Sequence, residues 1–200
     1  MSHHAAFRYA DPAELDTSDQ IADARAHILA VDDPDLSDTR ERVLSFVDRH
    51  PDALHRSCEP GHLTGSALVV DPRRRRVLLL HHTKLRRWLQ PGGHADGDAN
   101  LAAVALREAT EETGIADLRV VLPAVDVDVH LVEPPHEAPH HHYDIRFLVV
   151  APDDAVVDAN HESTAQRWAE LDELAGLGCD HGLLRMADAG LRALTTLESC

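Results

Sequence analysis

Three glutamates, Glu108, Glu111 and Glu112, follow one another at helical spacing between Leu101 and Gly114. On a 3.6-residue helix they project within about 100° of arc, and their i,i+3 and i,i+4 pairs bring Cβ atoms within about 5–6 Å. Such a concentration of like charge has two resolutions. Water and counter-ions screen it, or a hard divalent cation binds, because Mg²⁺ and Mn²⁺ take oxygen ligands and complete their shell with substrate phosphate. The carboxylates fall in the last turn, where the helix dipole disfavours anions; a helix built for stability alone would more often place Lys or Arg there. Ala102, Ala105, Leu106 and Ala109 occupy the adjacent arc and are expected to pack on a sheet.

The flanking spacing narrows the choice. Arg107 and Glu108 stand fourteen and fifteen residues after Gly93, with Ala109, Glu111, Glu112, Gly114 and Ile115 following in register. This resembles the Nudix box: Gly, five residues, Glu, seven residues, Arg-Glu, a small or aliphatic residue, any residue, Glu-Glu, any residue, Gly, aliphatic. The resemblance extends more loosely through Trp88-Leu89-Gln90-Pro91-Gly92-Gly93-His94 and the later Arg167-Trp168. One position departs, because the family's first glutamate falls on Ala99, with Asp98 one residue early. Asp98 is read as the helix N-cap in preference to a shifted substitute for that glutamate.

The resemblance implies an α/β/α sandwich with a mixed central sheet, and a metal-dependent pyrophosphohydrolase. Its substrate would be a nucleoside diphosphate linked to another moiety, cut by water attack at phosphorus. The implied metal site is Glu108, Glu111 and Glu112 with the backbone carbonyl of Gly93, holding Mg²⁺ or Mn²⁺. Arg107 would pin a carboxylate by a bidentate contact. Glu108, Glu112 or a distal acid such as Glu162 would orient or deprotonate the water. Two other functions fit the same scaffold. One is a ligand sensor without turnover, to which Ala99 lends support; the other is an isopentenyl-diphosphate isomerase, which needs a catalytic cysteine that neither Cys58 nor Cys179 obviously supplies.

A second set of polar residues alternates along two predicted strands: Asp126, Asp128 and His130 on one, and His140, His142 and Asp144 on the other. Period-two spacing puts each set on one face. Edge solvation is the plainer reading; if the two faces meet, they form a polar wall able to bind phosphate, base or a second metal. His94 and Trp88 are further candidates for substrate contact, with Trp88 either stacking on a base or packing under the glycine turn. Among the 16 histidines, His3-His4, His81-His82 and His161 read as incidental.

The elements that must hold these residues follow from periodicity and punctuation. Residues 1–60 read as a helical N-terminal extension, with helices near Gln20–Val31 and after Ser37, serving as a packing appendage, a dimer contact or a lid. Residues 61–200 read as the catalytic domain. Strands are expected near Leu63–Val70, Val77–Leu80, Leu118–Leu122, Val125–Val132, Tyr143–Val150 and Gln166–Ala169, and helices near Leu101–Glu112, Leu171–Leu177 and Gly182–Leu197. Arg73 to Arg76 form a solvated hairpin tip.

The formal charge of −16 works against extended nucleic acid and anionic membrane. An acidic protein that handles phosphate therefore needs a local reversal of field, and metal supplies one. Three cysteines without ligand spacing read as free thiols, and with no apolar N-terminal segment the expected compartment is the cytoplasm. The expected partner is a small nucleotide-type molecule, with a homodimer left open.

Overall fold

The structure is a computed structural model describing residues 6–134, 138–158, 160–161 and 163–199. In chain order it contains β1 (Arg8–Tyr9), α1 (Ile21–Leu29), α2 (Ser37–Arg49), β2 (Gly61–Asp71), β3 (Arg76–His82), β4 (Trp88–Leu89) and β5 (Gly92–His94). Next come α3 (Leu101–Thr113), β6 (Arg119–Leu122), β7 (Asp126–Val132), β8 (His140–Val150), β9 (Ser163–Ala169) and α4 (His181–Glu198). The helix expected at Leu171–Leu177 is only a 3₁₀ turn, Leu171–Glu173. Gly176 and Gly178 follow at once, and glycine costs a helix about 1 kcal/mol per residue.

Two long strands form the spine. β2 and β8 run parallel, from Gly61 opposite His141 to Val70 opposite Val150, and every other pairing is antiparallel. Each spine strand takes two further partners along its length. β2 pairs with β5 near its start and β3 near its end, while β8 pairs with β7 near its start and β6 near its end. The sheet is mixed, with helices on both sides.

Alternation along β2 sorts its residues between two cores. Leu63, Ala67 and Val69 join Leu101, Val104 and Ala105 of α3 and Ile28 and Phe46 of the N-terminal helices. Leu68 and Val70 face the other way, onto Leu183, Met186, Leu191 and Leu194 of α4. On that second face the earlier positions His62, Thr64 and Ser66 are polar, yet buried. The face is thus apolar beneath α4 and polar beyond it.

α3 lies so close to the sheet that Gly65 has no room for a side chain. A Cβ there would stand 2.7 Å from the Leu101 carbonyl oxygen and 3.2 Å from the Ala105 nitrogen, both backbone atoms that cannot swing aside. Gly65→Ala is therefore expected to cost about 1–3 kcal/mol by overpacking. The shift in the urea midpoint reads this directly, and an unshifted midpoint would show that the helix yields freely.

The N-terminal segment closes on the start of α3. Asn100 caps the helix, its side chain accepting from the Ala103 amide and donating to the carbonyls of Glu14 and Asp16. His27 of α1 donates from Nε2 to Asn100 Oδ1 at 3.2 Å and meets the Phe147 ring edge-on. Burial holds the His27 pKa below its usual 6.5, against the hydrogen bond to Asn100 and nearby Asp23, which favour the charged form. Because the unfolded chain binds this proton more readily, the stability tied to neutral His27 is intact above pH 6.5 and is lost as pH falls below it. His27→Gln is expected to flatten the decline in melting temperature on acidification from pH 7; an unaltered profile would remove His27 as its cause.

The hairpin tip is exposed at Arg73, Arg74 and Arg75, as expected, yet several of its arginines also take partners. Arg75 reaches the Leu191 carbonyl and the Thr195 hydroxyl of α4, both at 2.8 Å, and Arg76 pairs with Asp71. Arg73 pairs with Asp153.

Candidate active site

The site is assembled where the glycine turn meets the last turns of α3. β5 lies against β2 with Gly93 opposite Gly65. A Cβ at Gly93 would fall 2.4–2.8 Å from the carboxylate atoms of Glu108, so the glutamate occupies space that only glycine leaves open. This cradle brings a carboxylate onto a main chain, an all-oxygen donor set that suits a hard divalent cation.

A cavity of about 490 Å³ opens beside it, lined by Glu108 and Glu112 on one wall and by Thr64, Ser66, His142 and Asp144 on another. Gly93 and His94 also border it. Glu111 is exposed and borders, with Glu108, a neighbouring groove beside Asp96, Asp98 and Arg107. The three glutamates therefore straddle two depressions. Among the described residues, the acidic, histidine or cysteine trios whose ligand atoms lie within 4.8 Å of one another do not include this one.

Two cations at the cavity were not singled out from sequence. Arg56 lines it while holding Asp96 through paired 2.8 Å bonds, and Lys84, the chain's sole lysine, lines it from the β3–β4 turn. Lysine scarcity was the available signal for the second; nothing local marked the first. His82 also lines the cavity, so it is not incidental; its Nδ1 accepts from the amides of Lys84 and Leu85 and shapes that turn.

The alternating polar strands do meet. β7 and β8 pair so that Asp128 faces Asp144 and His130 faces His142, and β2 adds His62 opposite His142. Edge solvation is overturned: Asp126 and Asp144 are buried, because α4 closes over this part of the face with Arg185. Arg146, which continues the alternation of β8, is 4% exposed and donates to Asp144 at 2.7 Å, Asp126 at 3.0 Å and Asp128 at 3.1 Å. Arg185 adds a bond of 2.8 Å to Asp126 and one of 3.0 Å to Asp128. Burial raises the Asp126 pKa despite these arginines. Burial also works against ionised Asp128, but the His130 bond and the Arg146 and Arg185 charges outweigh it and hold that carboxyl well below the usual range. Asp144 accepts from Thr64, Ser66 and Arg146, which makes it a fixed strut of the wall.

Beyond the carboxylates the wall becomes imidazole. His62 has ring centroids of His94, His140 and His142 at 4.8, 4.8 and 4.9 Å. Burial and the neighbouring rings His94 and His140 push the His62 pKa down to about 4, and burial with His94 and His62 pushes that of His142 to about 2. His130 moves up: burial opposes its charge, but the bond to Asp128 and the nearby Asp144 favour it more.

The NUDIX domain family model matches residues 61–189, well over half of the sequence. The chain belongs to the Nudix family. A Nudix hydrolase structure from Alicyclobacillus acidocaldarius matches at 17% identity with a TM-score of 0.51, covering 68% of this chain and 96% of that one. An Ap4A hydrolase from C. elegans matches at 18% identity and TM-score 0.49, covering 66% and 97%. A MutT protein from Methanosarcina mazei Go1 matches at 20% identity and TM-score 0.48, covering 65% and 92%. At these identities the likeness is one of fold. No curated protein matches closely enough to count as a relative. At family level the protein is a Nudix hydrolase, an enzyme class acting on phosphoanhydrides.

Several details of this Nudix box differ from the expectation. Asn100, not Asp98, caps the helix; Asp98 Oδ1 instead accepts from the Ser18 and Asn100 amides. Ala99, where the family carries glutamate, is 0% exposed and donates its amide to the Ser18 carbonyl. A glutamate there would be buried under the N-terminal segment, so alanine suits the packing. Arg107 makes no bidentate clamp: one nitrogen lies 3.4 Å from Glu108 and another 3.7 Å from Asp98. Trp88 does not line the cavity; its ring meets His81 and packs toward the α4 core. His140 is buried behind the wall, with Nδ1 donating to the Ala138 carbonyl. Glu162 lies outside the described residues.

Proposed function

We propose that this Nudix protein hydrolyses the phosphoanhydride of a nucleoside diphosphate linked to another moiety, using Mg²⁺ or Mn²⁺. The observation that supports this most is the Glu108 carboxylate seated against the Gly93 main chain, at the mouth of a cavity that also holds Glu112, Arg56 and Lys84. Glu108 and Glu112 with the Gly93 carbonyl would hold the ion, and Glu111 would join from the adjoining groove. When bound, it supplies charge that neutralises the diphosphate and polarises an attacking water. Arg107 keeps Glu108 turned toward Gly93 as a positioning residue. Lys84 and Arg56 line the same cavity and would meet the phosphates there, offsetting the chain's negative field. Glu112 accepts the water's proton as the new phosphorus–oxygen bond forms and the bridging bond breaks, releasing two phosphorylated fragments.

The isomerase reading loses support from the cysteines. Among the described residues none lines the cavity, and Cys58 is buried beside His50 and Asp52. Burial and its hydrogen bond to Asp52 push that thiol to about 11, so it is held protonated. Free Cys58 and Cys179 suit a reducing compartment such as the cytoplasm. Among the described residues no helix is long and apolar enough to cross a membrane.

The test is a screen of nucleoside diphosphate derivatives with Mg²⁺ and with Mn²⁺, scored by release of phosphorylated products. Metal-dependent cleavage at the diphosphate is expected. Binding of these compounds without turnover under either metal would favour the sensor.

A further inference from the structure

Beside the carboxylates stands a second group of donors that the hydrolase reading does not use. His62, His94 and His142 come from three strands, β2, β5 and β8, and their ligand nitrogens all lie within 4.8 Å of one another. His62 is 2% exposed, and neither of its ring nitrogens has a hydrogen-bond partner. A buried imidazole normally finds a partner for its N–H and another for its lone pair, since water is not there to serve them. Here the rings nearest His62 are those of His94, His140 and His142, and none of them gives it a hydrogen bond.

We propose that His62, His94 and His142 form a binding site for one late first-row divalent cation of the Zn²⁺ class, held through imidazole nitrogens. The chemistry of the donors decides the ion. Imidazole suits Zn²⁺, Co²⁺ and Ni²⁺, whereas Mg²⁺ and Mn²⁺ prefer the oxygen set formed by the glutamates. Nitrogens on a tetrahedral ion stand roughly 3.3 Å apart, so small ring rotations convert the observed spacing into a closed trio. The spacing of the ring nitrogens selects these three as ligands, while His140, held at Nδ1 by the Ala138 carbonyl, and His130, held at Nδ1 by Asp128, flank the site.

His94 and His142 border the cavity that Glu108 and Glu112 line. The fourth position of a three-imidazole ion therefore opens toward that cavity, the arrangement of sites that keep one place for water or an anion. A phosphate oxygen is the ligand such a position would accept there. The chain then carries two unlike cation sites on one cavity, oxygen-lined on the α3 side and nitrogen-lined on the sheet side.

The experiment titrates the full chain with Co²⁺ in excess Mg²⁺, following the visible absorption that marks four-coordinate Co²⁺ with nitrogen ligands, and then displaces it with Zn²⁺. One Co²⁺ per chain is expected, released by one equivalent of Zn²⁺. His62→Gln and His142→Gln should each weaken Co²⁺ binding by more than about 100-fold, beyond what loss of an outer partner costs. Glu112→Gln should leave that affinity unchanged. If His62→Gln melts early, His94→Asn on the partly exposed β5 carries the same expectation. Affinity that survives the histidine substitutions, or that Glu112→Gln abolishes, overturns the proposal. Neither result bears on Mg²⁺-dependent turnover, which the carboxylates govern.

Discussion

Glu112→Gln is expected to lower turnover by about 10²–10⁴-fold, the range that removal of a metal ligand or general base commands. The same substitution should leave stability equal or slightly higher. Glu112 stands one turn beyond Glu108, near the end of α3 where the helix dipole is unfavourable to anions. Neutralising one of two like charges at i,i+4 relieves about 0.2–0.5 kcal/mol of repulsion. A residue kept for structure would show the reverse pattern, lost stability with turnover spared. EDTA should abolish wild-type turnover and add nothing to the defect of the variant. Steady-state rates with saturating Mg²⁺ or Mn²⁺, alongside thermal melts, read both quantities. Full activity in the variant, or turnover that persists in EDTA, would move the chemistry to other residues.

Arg146→Met should destabilise the fold by about 3–5 kcal/mol, the usual cost of breaking a buried ion pair from one side. Arg146 reaches three carboxylates, and two of them, Asp126 and Asp144, are almost wholly buried. Arg185 still serves Asp126 and Asp128 after the substitution, but Asp144 keeps only the Thr64 and Ser66 hydroxyls. Burial already raises the Asp126 pKa against both arginines, and with Arg146 gone that carboxyl takes up a proton still more readily than it does unfolded. The variant's deficit should therefore be largest near neutral pH and shrink as pH falls. In the wild type the sign is opposite at Asp128: its depressed pKa contributes stability above the unfolded value that is lost on acidification. Adding Asp144→Asn to Arg146→Met should recover part of the loss, since the amide oxygen still accepts from the hydroxyls. Urea denaturation across pH checks each step, and a deficit that is constant with pH would show that packing, not charge, is what Arg146 supplies.

Much of α3 was legible because its information is local. Spacing alone placed Glu108, Glu111 and Glu112 on one arc, Gly114 at the helix stop, and the alanines toward the sheet. Gly114 indeed terminates α3 with φ of 66°, a left-handed conformation that glycine adopts without strain. The capping residue was misread because Asp98 and Asn100 are both good caps, and only the position of Ser18, drawn from eighty residues away, engages Asp98 elsewhere. Trp88 was similarly ambiguous; an aromatic beside a glycine turn can face either side, and pairing of β4 with β3 turned it from the cavity.

By itself the amino-acid order determined the face on which each residue lies, because helical and strand periods are properties of neighbouring residues. It also determined the charge balance that makes a cation useful at a phosphate site. Only the tertiary structure decided which faces meet. The parallel registry of β2 with β8, and the antiparallel registry of β8 with β7, brings His62, His142 and Asp144 into one wall with Arg146, and α4 delivers Arg185 to it. Pairing partners and register depend on contacts between distant segments, and a shift of one residue would turn every side chain to the opposite face. Periodicity therefore shows where a side chain points along its own strand, while the packed sheet chooses what it finds there.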